Sequence, residues 1–307
     1  MSSPVRFLAI SLAALVAASC TAAGGGPTSG PASGPTGSPG ATGATGIAYP
    51  TGANDLVLRL RYVGGFIGPA TRFLELPAIS VYGDGTVVVP GPQIAIYPGP
   101  ALPNLQRATI TPAGMQTLLE AARAAGLLGP DATYDLGGVM DGSTAEFTLN
   151  ADGRIHTMSA YALLEGQGAP QGTDAAVAEA RAKLALFQGQ LRSLEALLDT
   201  EIGPWSSYQA EAVRLLVSQG APTNEQGLAQ EPVVWPLSTP LATFGETLPA
   251  PVQGQRCGVV SGSDLDTLMP LLQQANTLTP WTDDGASFGI AVRPLLPAEE
   301  GCPPPAA

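Results

Sequence analysis

Lysine is nearly missing from this chain. Lys183 stands alone beside twelve arginines, and these 13 basic residues face 25 acidic ones, a formal net charge of −12 over 307 residues. A nucleic-acid-binding face needs concentrated cations to neutralise phosphates, and this balance excludes one. Histidine is as scarce, with His156 the sole example. A Ser–His–acid triad would have to use it, and a histidine-built zinc site lacks ligands. No Gly-x-Ser-x-Gly elbow, His-Glu-x-x-His, Cys-x-x-Cys, Walker loop or dinucleotide-binding glycine pattern occurs. Lys183 has no serine three residues earlier, which excludes a Ser-x-x-Lys pair. Charged residues make up only 12% against 45% hydrophobic ones. That ratio excludes a disordered chain and predicts a packed core.

Apolar runs of membrane-spanning length are missing too. The stretch FLAISLAALVAA (7–18) follows Arg6; as a helix it would cover about 18 Å, against the roughly 30 Å of a bilayer core. It ends at Ala17-Ala18-Ser19-Cys20. This sequence resembles the lipobox of bacterial lipoproteins, in which small residues precede a cysteine that is lipidated and becomes the new N-terminus. The resemblance covers about the first twenty residues and departs from the commonest pattern in having Ala17 where Leu is favoured. It implies a cleaved signal peptide over 1–19, lipidation of Cys20 and a membrane anchor facing the exterior. Two or more acyl chains on one residue anchor stably where a single chain is marginal.

Residues 20–50 read as a tether dominated by Gly, Pro, Ser, Thr and Ala, with no charge. Such a composition cannot offset the cost of ordering, and some thirty flexible residues reach an r.m.s. distance of about 30 Å. Glycine recurs every third residue from Gly34 to Gly46, too few triplets for a collagen helix.

The rest predicts an α+β fold. DLVLRLRYV (55–63) alternates with period two and reads as an antiparallel strand. Hairpins are predicted around Asp84-Gly85 and Asp152-Gly153, and a short strand at 107–111. Thr111 caps a helix that has Pro112 at its first position. A long helix is expected from Thr173 to about Glu201, weakened at Gly189 by about 1 kcal/mol relative to Ala. Ser263-x-x-Asp266 fits a capping box for a further helix, which Pro270 interrupts.

The order of elements then starts again after Pro204. QRCGVVSGSDLDTLMPLLQQAN (255–276) parallels QRATITPAGMQTLLEAARAAG (106–126), AEAVRLLVSQ (210–219) parallels the first strand, PVVWPL (232–237) the first half of the early hairpin, and GASFGIAVRPL (285–295) the start of the second. The expectation is a tandem duplication of a strand-strand-strand-helix-strand unit. Repeat 1 would cover 51–203 with the long helix, and repeat 2 would cover 204–307 with the proline-rich tail. Cys257 and Cys302 remain once Cys20 is lipidated, and an exported chain with an even pair predicts a disulfide between them.

Chemistry-bearing residues are thin. Asp131, Asp135 and Asp141, with Asp283 and Asp284, could offer oxygens to Ca²⁺, although their spacing matches no EF-hand. His156 is expected on a solvent-facing or edge strand. Arg59 and Arg61 fit either a sheet face for an acidic partner or an ordinary solvated strand face. The composite expectation is a non-enzymatic, lipid-anchored envelope protein, without cofactor or metal, binding a protein or envelope component at the outer face of the membrane. The alternative is a small-molecule or glycan binder that uses a cleft between the repeats, with Trp205, Tyr208 and Trp281 as its contacts.

Overall fold

The computed structural model describes residues 46–163, 173–299 and 301–302; the signal segment, Cys20 and the tether up to residue 45 lie outside the described residues. The chain is α+β. In β1 (Leu56–Gly64) the alternation is realised: Leu58 and Leu60 are buried under helices, and Arg59 and Arg61 take the opposite face. β2 (Ile79–Tyr82) and β3 (Thr86–Pro90) form the expected hairpin, with Asp84 accepting from the Thr86 N–H at 2.9 Å. Gly85 sits at φ +87, where a Cβ would run into the Ile110 carbonyl. β4 (Leu105–Thr109) leads into α1 (Pro112–Ala124), whose cap is Thr111 accepting from the Gly114 N–H at 3.1 Å.

β5 (Ala132–Tyr134) precedes the second hairpin, β6 (Ser143–Ala151) and β7 (Arg154–Tyr161). The long helix is split into α2 (Ala175–Leu191) and α3 (Leu194–Leu198). The break falls at Arg192 and Ser193 rather than at Gly189, and after it Leu194 and Leu198 are buried in the same core as Leu184 and Leu191. β8 (Ser206–Ser207) then pairs with β4, which carries the first sheet past residue 203. Its eight strands run β5-β7-β6-β1-β2-β3-β4-β8.

A second sheet follows. Its strands are β9 (Ala212–Gln219), β10 (Val233–Val234), β11 (Glu246–Thr247), β12 (Gln255–Ser261), β13 (Trp281–Asp283) and β14 (Ala286–Pro294), in the spatial order β10-β13-β14-β9-β12-β11. α4 (Gly262–Gln274) covers it with Leu265, Leu268 and Leu272. The predicted capping box does not form. Ser261 occupies the cap without a side-chain bond, so Ser263 already lies in the first turn. Pro270 is accommodated on the exposed side of the helix. No helix among the described residues is long and apolar enough to cross a membrane.

The two halves share a strand leading into a helix (β4–α1, β12–α4), and in each the second strand after the helix (β6, β14) lies antiparallel to the first strand. They differ elsewhere. β12 pairs directly with β9, whereas β2 and β3 stand between β1 and β4. PVVWPL supplies β10, a two-residue strand parallel to β13 at the far edge, and no hairpin. The element-for-element repeat is not reproduced. The faces of both sheets that carry no helix meet each other: Tyr82, Val88 and Leu105 of the first pack with Leu296 just after β14, and Phe73 packs on Leu216 and Cys257 of the second.

Candidate functional site

Where those two faces meet, arginines gather. Arg59 and Arg61 come from β1, Arg214 from β9, Arg293 from β14, and Arg72 from a short 3-10 turn at Pro69–Phe73. Five of the chain's twelve arginines thus line one cleft of about 170 Å³, accompanied by Glu75 and Glu299.

The sheets place them. In the β1–β2 ladder Arg59 lies opposite Ser80, and in the β1–β6 ladder Arg61 lies opposite Glu146, with which it forms a half-exposed ion pair at 2.6 Å. In the second sheet Arg293 lies directly opposite Arg214, and both are buried, 4% and 6% exposed. Like charges facing each other across strands destabilise a ladder unless they are compensated. Backbone carbonyls and Glu299 contribute to that compensation. Arg214 donates from Nε to the Gly301 carbonyl at 2.7 Å and from Nη1 to the Phe73 carbonyl at 3.0 Å. Arg293 donates from Nε to the Glu75 carbonyl at 2.7 Å and grips both oxygens of Glu299. These bonds fasten two segments over the cleft, residues 69–77 and the arm 295–302. The arm is also held by the disulfide between Cys257 and Cys302, whose Cα atoms are 6.0 Å apart.

Burial dominates the electrostatics. It lowers the Arg59 guanidinium below its ordinary pKa, helped by repulsion from Arg61. It lowers Arg214 to about 10, helped by Arg293. Both stay cationic near neutrality. Burial raises the Glu75 carboxyl. Arg59 differs from its neighbours in one respect: its Nε is buried and meets no acceptor among the described residues. A buried donor left without a partner costs about 1–3 kcal/mol.

The three aromatics named as ligand contacts are not brought together. Trp281 is 1% exposed and stacks edge-on with Trp235 in the second core. Core packing is the default for a tryptophan in a chain with only three, and Trp281 follows it. Tyr208 packs beside Tyr82 and Leu296 and donates to the Leu295 carbonyl at 3.1 Å; burial raises its hydroxyl to about 12. Trp205 lines a cleft of about 350 Å³ between the first sheet and α2–α3, with its indole N–H bonded to Glu195, and Tyr208 lines a different one of about 200 Å³ with Met269 and Gln273 of α4.

The acidic residues considered for Ca²⁺ are scattered as well. Asp131 accepts from Arg154 and from the Thr157 N–H, Asp283 accepts from the Leu241 N–H, and no metal-ligating cluster occurs among the described residues. His156 is 4% exposed in β7, which lies inside the sheet between β5 and β6, so it is neither solvent-facing nor on an edge strand. Its Nδ1 lies 3.1 Å from the Gly129 carbonyl. Sequence reasoning missed Arg72, Arg214, Arg293, Glu75 and Glu299. A signal existed for two of them: Arg214 in AVRLLV and Arg293 in IAVRPLL each interrupt an apolar strand. Comparison with protein-family models, with curated proteins and with solved structures found no match.

Proposed function

We propose that this chain is a non-enzymatic, lipid-anchored binding protein of the bacterial cell envelope. Cys20 holds it at the outer face of the membrane, the tether lets it stand clear, and the arginine-lined cleft receives an acidic envelope component or an acidic patch of a partner. One observation carries the reading: two buried arginines face each other at the back of a cleft that three further arginines line. Replacing buried charges by apolar residues of similar volume is often neutral or stabilising, so the cluster is poorly accounted for by stability alone. Guanidinium groups also hold anions in a fixed fork without exchanging protons near neutrality, which suits recognition rather than acid–base turnover.

The test uses the full chain in its native envelope. Metabolic acyl labelling should mark the protein, and Cys20→Ala should remove the label and release the protein from membranes. Mild cross-linking and co-purification should then retain an acidic ligand or partner, and Arg59→Gln should lose it. An unlabelled wild-type protein ends the anchor reading, and undiminished retention by Arg59→Gln ends the cleft reading. A second reading is favoured by Trp205, which with Arg192 and Glu195 lines the larger cleft. A neutral glycan lost on Trp205→Ala would put the ligand there.

A further inference from the structure

We infer that the group bound in the arginine cleft is a dianionic tetrahedral oxyanion, inorganic phosphate or the phosphate end of a monoester, gripped by Arg59, Arg61 and Arg72. The inference rests on the acidic-ligand reading above and deepens it.

The two sides of the cleft differ in how far their charge is already met. On the side of the second sheet, Arg293 has both oxygens of Glu299, and Glu299 is further occupied by the Leu296 N–H at 2.9 Å. Arg214 holds two backbone carbonyls. Those guanidinium groups are engaged in fastening the chain segments that cover the cleft. On the side of the first sheet, Arg59 keeps a buried Nε without an acceptor, and Arg72 is exposed on its turn. Arg61 is engaged only in a surface ion pair with Glu146, the kind worth little and readily exchanged.

Three forks on one side call for more acceptor oxygens than one carboxylate supplies. A phosphate monoester brings three strong acceptor oxygens and a charge of about −1.5 to −2 at neutral pH. Arginine forks match it bidentately. Size agrees: about 170 Å³ is below the roughly 300–1,000 Å³ of a pocket for a whole drug-sized ligand. The cleft therefore takes one anionic group and leaves the rest of any larger molecule outside. Glu75 and Glu299 are the carboxylates lining the cleft; burial raises the pKa of Glu75, and Glu299 is already taken up by Arg293.

The experiment is titration calorimetry of the full chain at constant ionic strength with inorganic phosphate, methyl phosphate, sulfate and acetate. Phosphate and sulfate are expected to bind saturably and at least about tenfold more tightly than acetate, the worth of one extra charge-assisted hydrogen bond. Methyl phosphate binding as tightly as inorganic phosphate indicates a monoester end; much weaker binding indicates the free ion. Arg59→Gln and the exposed Arg72→Gln should each weaken phosphate by about tenfold, with the melting temperature of the second unchanged. Acetate binding as tightly as phosphate, with loss in both variants, overturns the dianion and leaves the acidic-ligand reading standing. No saturable binding of any anion, together with native ligand retained by Arg59→Gln, overturns both.

Discussion

Arg293 stands directly opposite Arg214 across the β9–β14 pair, and the carboxylate of Glu299 closes on Arg293 with contacts of 2.5 and 2.8 Å. A buried like-charge pair on neighbouring strands is thus balanced from outside the sheet, by an acid six residues further along the chain. Glu299 bonds Arg293 directly, and Arg214 donates to the Gly301 and Phe73 carbonyls.

Glu299→Gln should therefore cost about 3 kcal/mol, because it leaves a buried guanidinium without its counter-charge. Burial by itself pushes the Glu299 carboxyl up, but the hydrogen bonds and charge of Arg293, the Leu296 N–H and the charge of Arg214 outweigh it and hold it below its ordinary value. A depressed folded pKa means the stabilisation is complete above the unfolded value, about 4.3, and fades as pH falls through the folded one. Urea unfolding across pH should show the wild-type advantage over Glu299→Gln at neutral pH, shrinking below about pH 4. A constant difference at every pH would contradict the pairing.

The disulfide closes a loop between residues 45 apart in sequence. In the chain-entropy model a loop of that size is worth about 4 kcal/mol. Cys302→Ser, or reduction, should lower stability by up to that amount. It should also weaken anion binding, because the arm supplies the Gly301 carbonyl and Glu299 to Arg214 and Arg293. Thermal unfolding with and without reductant measures the first effect and calorimetry the second.

Trp281→Ala should behave as a core truncation and cost about 3–5 kcal/mol, since Trp281 packs edge-on against Trp235 at 1% exposure. Trp205→Phe removes a partly exposed indole N–H bonded to Glu195 and should cost under about 1.5 kcal/mol. Denaturant midpoints compare the two; equal losses would mean that Trp205 is as structural as Trp281.

Two glycines should respond with opposite sign. Gly189 lies in α2 with open space where a Cβ would go, so Gly189→Ala should stabilise by about 0.5–1 kcal/mol. Gly245 has φ +59, and a Cβ there would meet the Cys257 carbonyl. Gly245→Ala should cost about 2 kcal/mol or more and disturb the pairing of β11 with β12.

Local signals in the sequence were enough for the elements whose chemistry is local. Thr111-Pro112 made a helix start legible, Asp84-Gly85 and Asp152-Gly153 made hairpins legible, and LRLRY announced a two-faced strand. What depended on distant partners was hidden. Val233-Val234 reads as half of a hairpin, yet its neighbour is β13, nearly fifty residues on. Trp281, beside Pro280 and two acids, fits a ligand contact as well as core packing, and the helix that buries it lies earlier in the chain. Half of the cleft was in view through Arg59 and Arg61. The remainder came from single arginines inside apolar strands, whose common destination is fixed only when the two bare sheet faces meet.

The arm that completes the cleft has a consequence for the order in which the molecule is made. Residues 295–302 follow every strand of both sheets in the chain, so during synthesis Arg214 and Arg293 emerge after the Phe73 and Glu75 carbonyls but before Glu299 and the Gly301 carbonyl. Both sheets can pair while their buried arginines still await Glu299 and the Gly301 carbonyl. This later segment then acts as a latch, and its lock is the Cys257–Cys302 pair, a bond that persists where thiols are oxidised. A molecule held back in a reducing compartment would carry both sheets with the latch unlocked. Final assembly of the cleft would wait for an oxidising environment.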